Sequence, residues 1–320
     1  MFTKSSLKNI SLNASGLIAL ADLRTIARRT ALTGSSSYLD IFFLAPGIHC
    51  QQDASEINRG EYPVAGAMTT GYVFRIENQA TVAYLQSVGE TGHLTNVFVS
   101  EPCHPSLSDG SRIVGLVFYS SGLALTANVA ALLCAIHDWW ALGVIGMLAL
   151  ARLVNVLVIK RRSTMGWKGA SEQGEQGDLL ILLSQDRWVR MQGLVDDIKA
   201  VTAGQWLKEP GTLEGFAVSF GTLLVYGSAV LAGNTSTTGS LLLACLLLCS
   251  AALLGLCNSF TNTLRMFGRT VYKTGKPKHY GRRLLMAQEL VKESGRSDWA
   301  IGMGLIAPTE SEAGKEKVVV

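Results

Sequence analysis

Two mirrored dipeptides, His49-Cys50 and Cys103-His104, carry the residue types of a tetrahedral zinc site. Ligands that are immediate neighbours differ from the usual spaced pairs around zinc, so these four read better as unrelated residues. Asp196-Asp197 offers paired carboxylates. On a helix, adjacent side chains diverge by about 100°, which suits neither one metal ion nor a shared proton. "AVSFG", 217–221, imitates the strained turn that exposes a nucleophilic serine, but Ser219 sits within an apolar run. "GMGLIA", 302–307, matches a loose G-x-G-x-x-A without the strand-turn-helix context that binds a dinucleotide. His137-Asp138 could serve acid–base chemistry, though two residues between apolar runs read first as a turn. No enzyme constellation emerges, and no cofactor or metal is implied.

Arg152 remains the residue of most interest, because it lies inside an apolar run. It precedes Lys160 by about eight positions, roughly 12 Å along a helix. Charge at such depth is costly and often functional, although a long side chain can also reach back toward the headgroups. Asn155 lies one turn away on the same face. Glu214 opens the third apolar run, and Asn128 interrupts the first. Together Arg152, Asn155, Glu214 and Asn128 form a candidate polar site. Arg152 paired with Glu214 would lock helices together; unpaired, it would attract an anion.

The elements that hold these residues follow from how charge is distributed. Over 320 residues, 48% are apolar and only 16% charged, against about a quarter charged in ordinary domains. The blocks 113–159 and 213–260 are nearly free of charge. Each divides into two runs of about 20 residues, the length that crosses a bilayer as a helix. The runs are 113–136, 139–159, 213–233 and 240–260. His137-Asp138 joins the first two, and "NTSTTG", 234–239, joins the second two. The fold class expected is therefore mainly α: an integral membrane protein with four transmembrane helices in two hairpins, carrying small mixed α/β cytosolic segments.

Basic residues orient it. Arg112, Lys160–Arg162 and the run beginning at Arg265 flank the helix ends opposite the two short turns, which carry no Lys or Arg. The positive-inside rule puts that side, and both termini, in the cytosol. A plasma membrane or endomembrane location is expected, with the mitochondrial inner membrane as the alternative. The net charge of +4 is too small to indicate nucleic acid. Anionic lipids near the basic flanks are the expected partners, with homo- or hetero-oligomers through the transmembrane helices as a further expectation.

Domain boundaries follow. Residues 1–48 form a basic N-terminal arm, in which 38–48, "YLDIFFLAPGI", is a buried strand or interfacial segment too short to cross. Residues 49–112 form a small mixed region of three or four strands, with strand-like patches at 71–89 and 93–100. Residues 113–159 and 213–260 are the hairpins. The 160–212 loop carries an amphipathic cap, and 261–320 is a basic tail with a disordered end. A helix is expected in the tail over 281–294, with Leu284, Leu285, Ala287, Leu290 and Val291 on its apolar face.

Within the loop, "DRWVRMQGLVDDIKAVTAGQWL", 186–207, admits two beginnings. It can pair with 179–184 as a hairpin across "SQDR". Alternatively a helix from Asp186 sets Trp188, Met191, Val195 and Ile198 on one stripe. Both continue as a helix through 194–207. Trp188, Met191, Ile198 and Trp206 are the candidate docking or interfacial residues of this cap. The same run, followed by a hydrophobic hairpin, resembles segments of uncharacterised multi-pass membrane proteins of filamentous fungi. That resemblance implies no chemistry. The function expected is a non-enzymatic scaffold or regulator of a membrane assembly. The alternatives are a small oligomeric transporter or channel and a membrane-bound enzyme of unrecognised type.

Overall fold

The computed structural model describes residues 15–101 and 109–308. In chain order these form helices α1 (Ser15–Ala19) and α2 (Thr25–Thr33), then 3-10 turns at Tyr38–Phe42 and Gln51–Glu56. Strands β1 (Val64–Ala67) and β2 (Val73–Arg75), helix α3 (Gln79–Val88) and strand β3 (His93–Ser100) follow. Next come α4 (Asp109–Ala135), α5 (Trp139–Arg162), the hairpin β4 (Gln176–Leu183) and β5 (Arg187–Leu194), and α6 (Val195–Thr202). Helices α7 (Thr212–Leu231) and α8 (Thr237–Ser259), strands β6 (Thr263–Met266) and β7 (Arg269–His279), and helices α9 (Arg283–Ser294) and α10 (Asp298–Gly302) complete the order. The chain divides into two compact units. One comprises 1–57, 105–164 and 206–266; the other comprises 58–104, 165–205 and 267–320. Residues 1–14 of the basic arm, the end of the tail from 309, and Cys103-His104 lie outside the described residues.

In the first unit, four helices are long and apolar enough to cross a membrane: Gly110–Ala135, Trp139–Arg162, Thr212–Asn234 and Thr237–Ser259. Their ends are closed locally. The Asp138 carboxylate accepts from Ala141 N–H at 3.2 Å and so caps α5. His137 adopts a left-handed conformation, φ 56°, which lets α4 turn directly into that cap. The second Asp138 oxygen accepts from Ser236 N at 2.9 Å and Ser236 Oγ at 2.5 Å, which ties the two hairpin tips together. The closest helix partners are α5 with α7 and α4 with α8, one from each hairpin, while α4 and α5 touch only sparsely.

The N-terminal segment occupies the intervening space. Helix α1 packs on α7 and α8, α2 on α8, and the Tyr38–Phe42 turn on α5 and α4. Phe43, Leu44, Ala45 and Ile48 are buried with Leu133, Leu148, Val225 and Leu246 in one core. A Cβ at Gly122 would stand 2.2 Å from the Phe43 ring, so glycine there admits the aromatic side chain. Residues 15–57 are therefore part of the helical unit and not a separate arm, and the mixed region begins at 58. The 38–48 segment is a 3-10 turn followed by irregular chain and not a strand; residues 43–48 are buried, while Tyr38, Leu39 and Phe42 of the turn are exposed.

The second unit is larger and more ordered than "small segments" suggests. The protein is 55% helical, yet it also holds a seven-stranded sheet. Six of those strands lie in this unit, in the order β2-β1-β4-β5-β3-β7. The β3–β5 pairing is parallel and the others among these six are antiparallel. The β4–β5 hairpin settles how 186–207 begins. Leu182 pairs with Trp188 and Leu183 with Arg187, and Gln185 and Asp186 take left-handed φ values of 63° and 52° in the turn. The strand ends at Leu194, where α6 begins.

Three expectations are corrected here. Residues 79–88 form a helix where strand-like patches were expected, because the Asn78 side chain accepts from Thr81 N at 3.1 Å and caps it. The basic run 269–279 is a strand paired with β3, so alternation of Thr, Val, Tyr and Lys had been hidden by its charge. Helix α9 buries Met286, Ala287 and Leu290, leaving Leu284 and Leu285 exposed. Its core-facing stripe is thus rotated from the one the leucines suggested.

A candidate polar site in the helical unit

Arg152 and Asn155 lie one turn apart on α5, and each is only 1% exposed. They hold opposite limbs of the buried N-terminal segment. Arg152 Nε donates to the Asp40 carbonyl at 3.1 Å. Asn155 Nδ2 donates to the Ile48 carbonyl at 3.1 Å, and Asn155 Oδ1 accepts from Gln52 Nε2 at 3.0 Å. Gln52 Oε1 in turn accepts from Arg162 Nη1 at 2.8 Å, while Arg162 Nε donates to the Lys208 carbonyl at 2.6 Å. One helix face therefore anchors residues 40–52 along its length.

Asp40 completes the arrangement. Its carboxylate accepts from Tyr119 Oη at 2.6 Å and from Ser37 N at 2.7 Å, the latter as one half of a capping box on the 3-10 turn. The Asp40 charge is the acidic charge that Arg152 feels, but no carboxylate of the described residues lies within ion-pair distance of the guanidinium. Arg152 Nη1 is buried with no hydrogen-bond partner. An isolated buried cation is costly, so the Arg152–Asp40 neighbourhood carries an electrostatic burden that the Asp40 carbonyl and nearby carboxylate only partly relieve. It can hold chain segments together; chemically, its one unspent capacity is hydrogen-bond donation to an anion.

Glu214 caps its own helix, accepting from Gly211 N at 3.0 Å, and contributes charge near Arg162. The structure does not bring it to Arg152. Asn128 is exposed and returns its amide to the Ala124 carbonyl at 2.8 Å. Asp40, Tyr119 and Gln52 were not singled out from the sequence. The S-x-x-D pattern of Ser37-Tyr38-Leu39-Asp40 was the available signal, since it marks a helix start.

The candidate docking residues separate between the units. Trp206 is fully buried in the helical unit and donates its indole N–H to the Gly34 carbonyl at 2.8 Å. Trp188 belongs to the sheet unit, where it packs with Leu94, Leu180, Met286, Leu290 and Trp299 and meets Tyr280 edge-on. Met191 on β5 and Ile198 on α6 are also buried there. These four residues are core of two units and form no shared exposed cap.

Among the described residues, no group of three or more His, Cys, Asp or Glu gathers to hold a metal. Cys50 donates its thiol to the Asp22 carboxylate at 3.1 Å. Burial, with the neighbouring Asp22, pushes that thiol up to about 12, so it stays protonated and unreactive at neutral pH. Asp196 accepts from Ser171 Oγ at 2.5 Å and Glu172 N at 3.0 Å, which ties it to the preceding loop. Comparison of the chain with protein-family models, with curated proteins and with solved structures returned no match.

Proposed function

We infer that this chain is a multi-pass membrane protein that works without catalysis, as a scaffold holding a folded sheet unit at one face of the bilayer. One observation carries this reading. The six strands of the sheet unit come from three stretches of chain, 58–104, 165–205 and 267–320, which the apolar helix pairs separate. Strands can hydrogen-bond only on one side of a membrane, because open sheet edges are not tolerated within lipid. The three stretches therefore share a face, each helix pair goes across and returns, and the tips near Asp138 and Ser236 lie opposite. Basic residues at 160–162 and 265 favour the cytosol for the sheet side.

Two further features support the reading. Large apolar side chains face outward along the four helices, including Ile113, Leu132, Leu150, Phe216, Val230 and Leu248. A water-exposed surface of that extent would be unusual, whereas lipid accommodates it. The interior between the helices is packed with Phe43, Leu44, Ala45 and Ile48, which suits an anchor better than a solute path.

The reading is tested by copurification from native membranes with detergent. Specific proteins should be recovered with the full chain and lost with a sheet-unit variant, Trp188→Ala, that still inserts. Solute flux in proteoliposomes that Arg152→Leu abolishes would instead favour transport. Recovery of the chain as a detergent-free monomer in aqueous buffer would remove the membrane premise altogether.

A further inference from the structure

Three arginines of the helical unit converge at one end of the α4–α8 pair. Arg29 on α2 donates from Nη1 to Thr261 Oγ1 at 3.2 Å, and its guanidinium lies over the Tyr119 ring of α4 at 5.5 Å. Arg112 is in the first turns of α4, beside Ser111. Ser111 Oγ donates to the Phe260 carbonyl at 2.6 Å and lies 3.4 Å from Asn262 Nδ2, which fixes this end of α4 to the chain leaving α8. Arg265 follows on β6. It senses the charges of both Arg112 and Arg29. None of the three forms an ion pair with a described carboxylate, whereas every ion pair among the described residues involves other residues. Burial, together with these two like charges, lowers the proton affinity of Arg265. Three mutually repelling cations held together by neutral tethers leave an electrostatic deficit that a phosphate would fill.

The surroundings identify the kind of phosphate. Directly along α4 from Arg112, the side chains of Ile113, Leu116 and Val117 are exposed, and Phe260 at the end of α8 is exposed and stacks with Phe118 at 5.7 Å. A cationic corner thus runs straight into an uncovered apolar wall. A free anion would use only the first, but an amphiphile matches both.

We propose that Arg29, Arg112 and Arg265 bind the phosphate headgroup of one anionic phospholipid, whose acyl chains lie along Ile113, Leu116 and Phe260. The inference rests on the membrane reading above and names one lipid-specific site within it. Each arginine near the surface is worth about 1 kcal/mol of attraction, or roughly fivefold in affinity.

The test uses the full chain in neutral detergent, titrated with dioctanoyl phosphatidylglycerol, dioctanoyl phosphatidylcholine or inorganic phosphate. Binding and the thermal midpoint are both followed. Phosphatidylglycerol should bind and raise the midpoint, with phosphatidylcholine and inorganic phosphate doing neither. Arg112→Gln, an exposed change that spares the core, should weaken phosphatidylglycerol about fivefold. The triple change Arg29→Gln, Arg112→Gln and Arg265→Gln should weaken it on the order of a hundredfold. Arg161→Gln, on an exposed arginine elsewhere at the helix ends, should leave it unchanged. The proposal is overturned if Arg112→Gln retains full affinity, if Arg161→Gln weakens binding as much, or if inorganic phosphate alone matches the lipid. A chain that inserts in membranes but shows any of those results refutes this site and leaves the scaffold reading standing. A chain that needs no detergent refutes the membrane reading itself.

Discussion

The two units treat charge in opposite ways. All nine ion pairs among the described residues lie in the sheet unit, from Arg190–Asp178 at 2.7 Å to the Arg296–Asp298 pair. Among the described residues, none of these pairs lies within the helical unit. Its cations rest instead on carbonyls, amides and rings: Arg152 on Asp40 O, Arg162 on Lys208 O and Gln52, Lys160 over the Tyr38 ring at 4.4 Å. Partly exposed pairs suit water, where each partner keeps its hydration. Neutral acceptors with a surplus of positive charge suit a boundary whose remaining counter-charges come from lipid. The difference supports the membrane proposal without appeal to hydrophobicity.

The largest effects should come from the two tryptophans. Trp206→Ala and Trp188→Ala each remove a buried aromatic side chain, at a cost of about 3–5 kcal/mol. If the units have separate cores, hydrogen exchange should quicken locally. Trp206→Ala should release amides of α2 and the long helices, and Trp188→Ala those of β3, β4 and β5. Equal loss of protection in both units from either change would break the division.

Next in size is Asp138→Ala. It removes the α5 cap and the bonds to Ser236 that join the hairpin tips, at a cost of about 3 kcal/mol. Thermal unfolding in detergent should show a lowered midpoint. Asp138→Asn should recover part of it, because the cap survives while the charge is lost.

Arg190→Ala should cost the sheet unit about 1 kcal/mol, since Arg190 is only partly exposed and bridges Asp178 and Glu293. Raising salt should shrink that deficit. An effect independent of salt would argue that packing, not charge, is what Arg190 supplies.

The smallest effect is a contrast in pH dependence. In the sheet unit, burial pushes Glu61 upward, but hydrogen bonds from Ser184 and Gln86 and the Arg187 charge outweigh it and leave its carboxyl below the usual value. Its stabilising contribution is complete above the unfolded carboxylate pKa and fades as pH falls through the lower folded value. In the helical unit, burial and the nearby acids Glu56 and Asp22 hold Asp53 above the usual value. Its contribution has the opposite sign: full below the unfolded pKa, and lost as pH rises through the folded one. Exchange measured from pH 6 down to about pH 3 should show the sheet unit loosening while the segment around Asp53 tightens, each by less than about 1 kcal/mol after solvent screening. Parallel loosening would contradict the opposed signs.

Much of the helical unit was legible because 20-residue apolar runs without charge admit few alternatives. The sheet unit was not, and its errors have physical causes. Arg187, Val189 and Met191 alternate with Trp188 and Arg190 as a strand would, yet Trp188, Met191, Val195 and Ile198 also recur at spacings of three and four, so only the pairing of Leu182 with Trp188 decides between them. Strand β7 carries lysines because much of its length faces solvent, and those charges resemble an unstructured flank. Arg152 and Asn155 drew notice through their apolar setting, but their partners at 40–52 did not. A short polar-apolar segment reads as interfacial until something shows that other helices surround it. Asp40 announced itself only through a capping pattern, and Gln52 through nothing in the sequence.

The most direct test places single cysteines, in a background freed of the native ones, at Asn234 between α7 and α8 and at Gln173 in the β4-side loop. Sealed vesicles of one orientation are then treated with a membrane-impermeant thiol reagent. One position should label at once, and the other only after the vesicles are opened. Labelling of both from the same side would mean that the α7–α8 tip and the sheet unit share a compartment, and the membrane-scaffold account would fail.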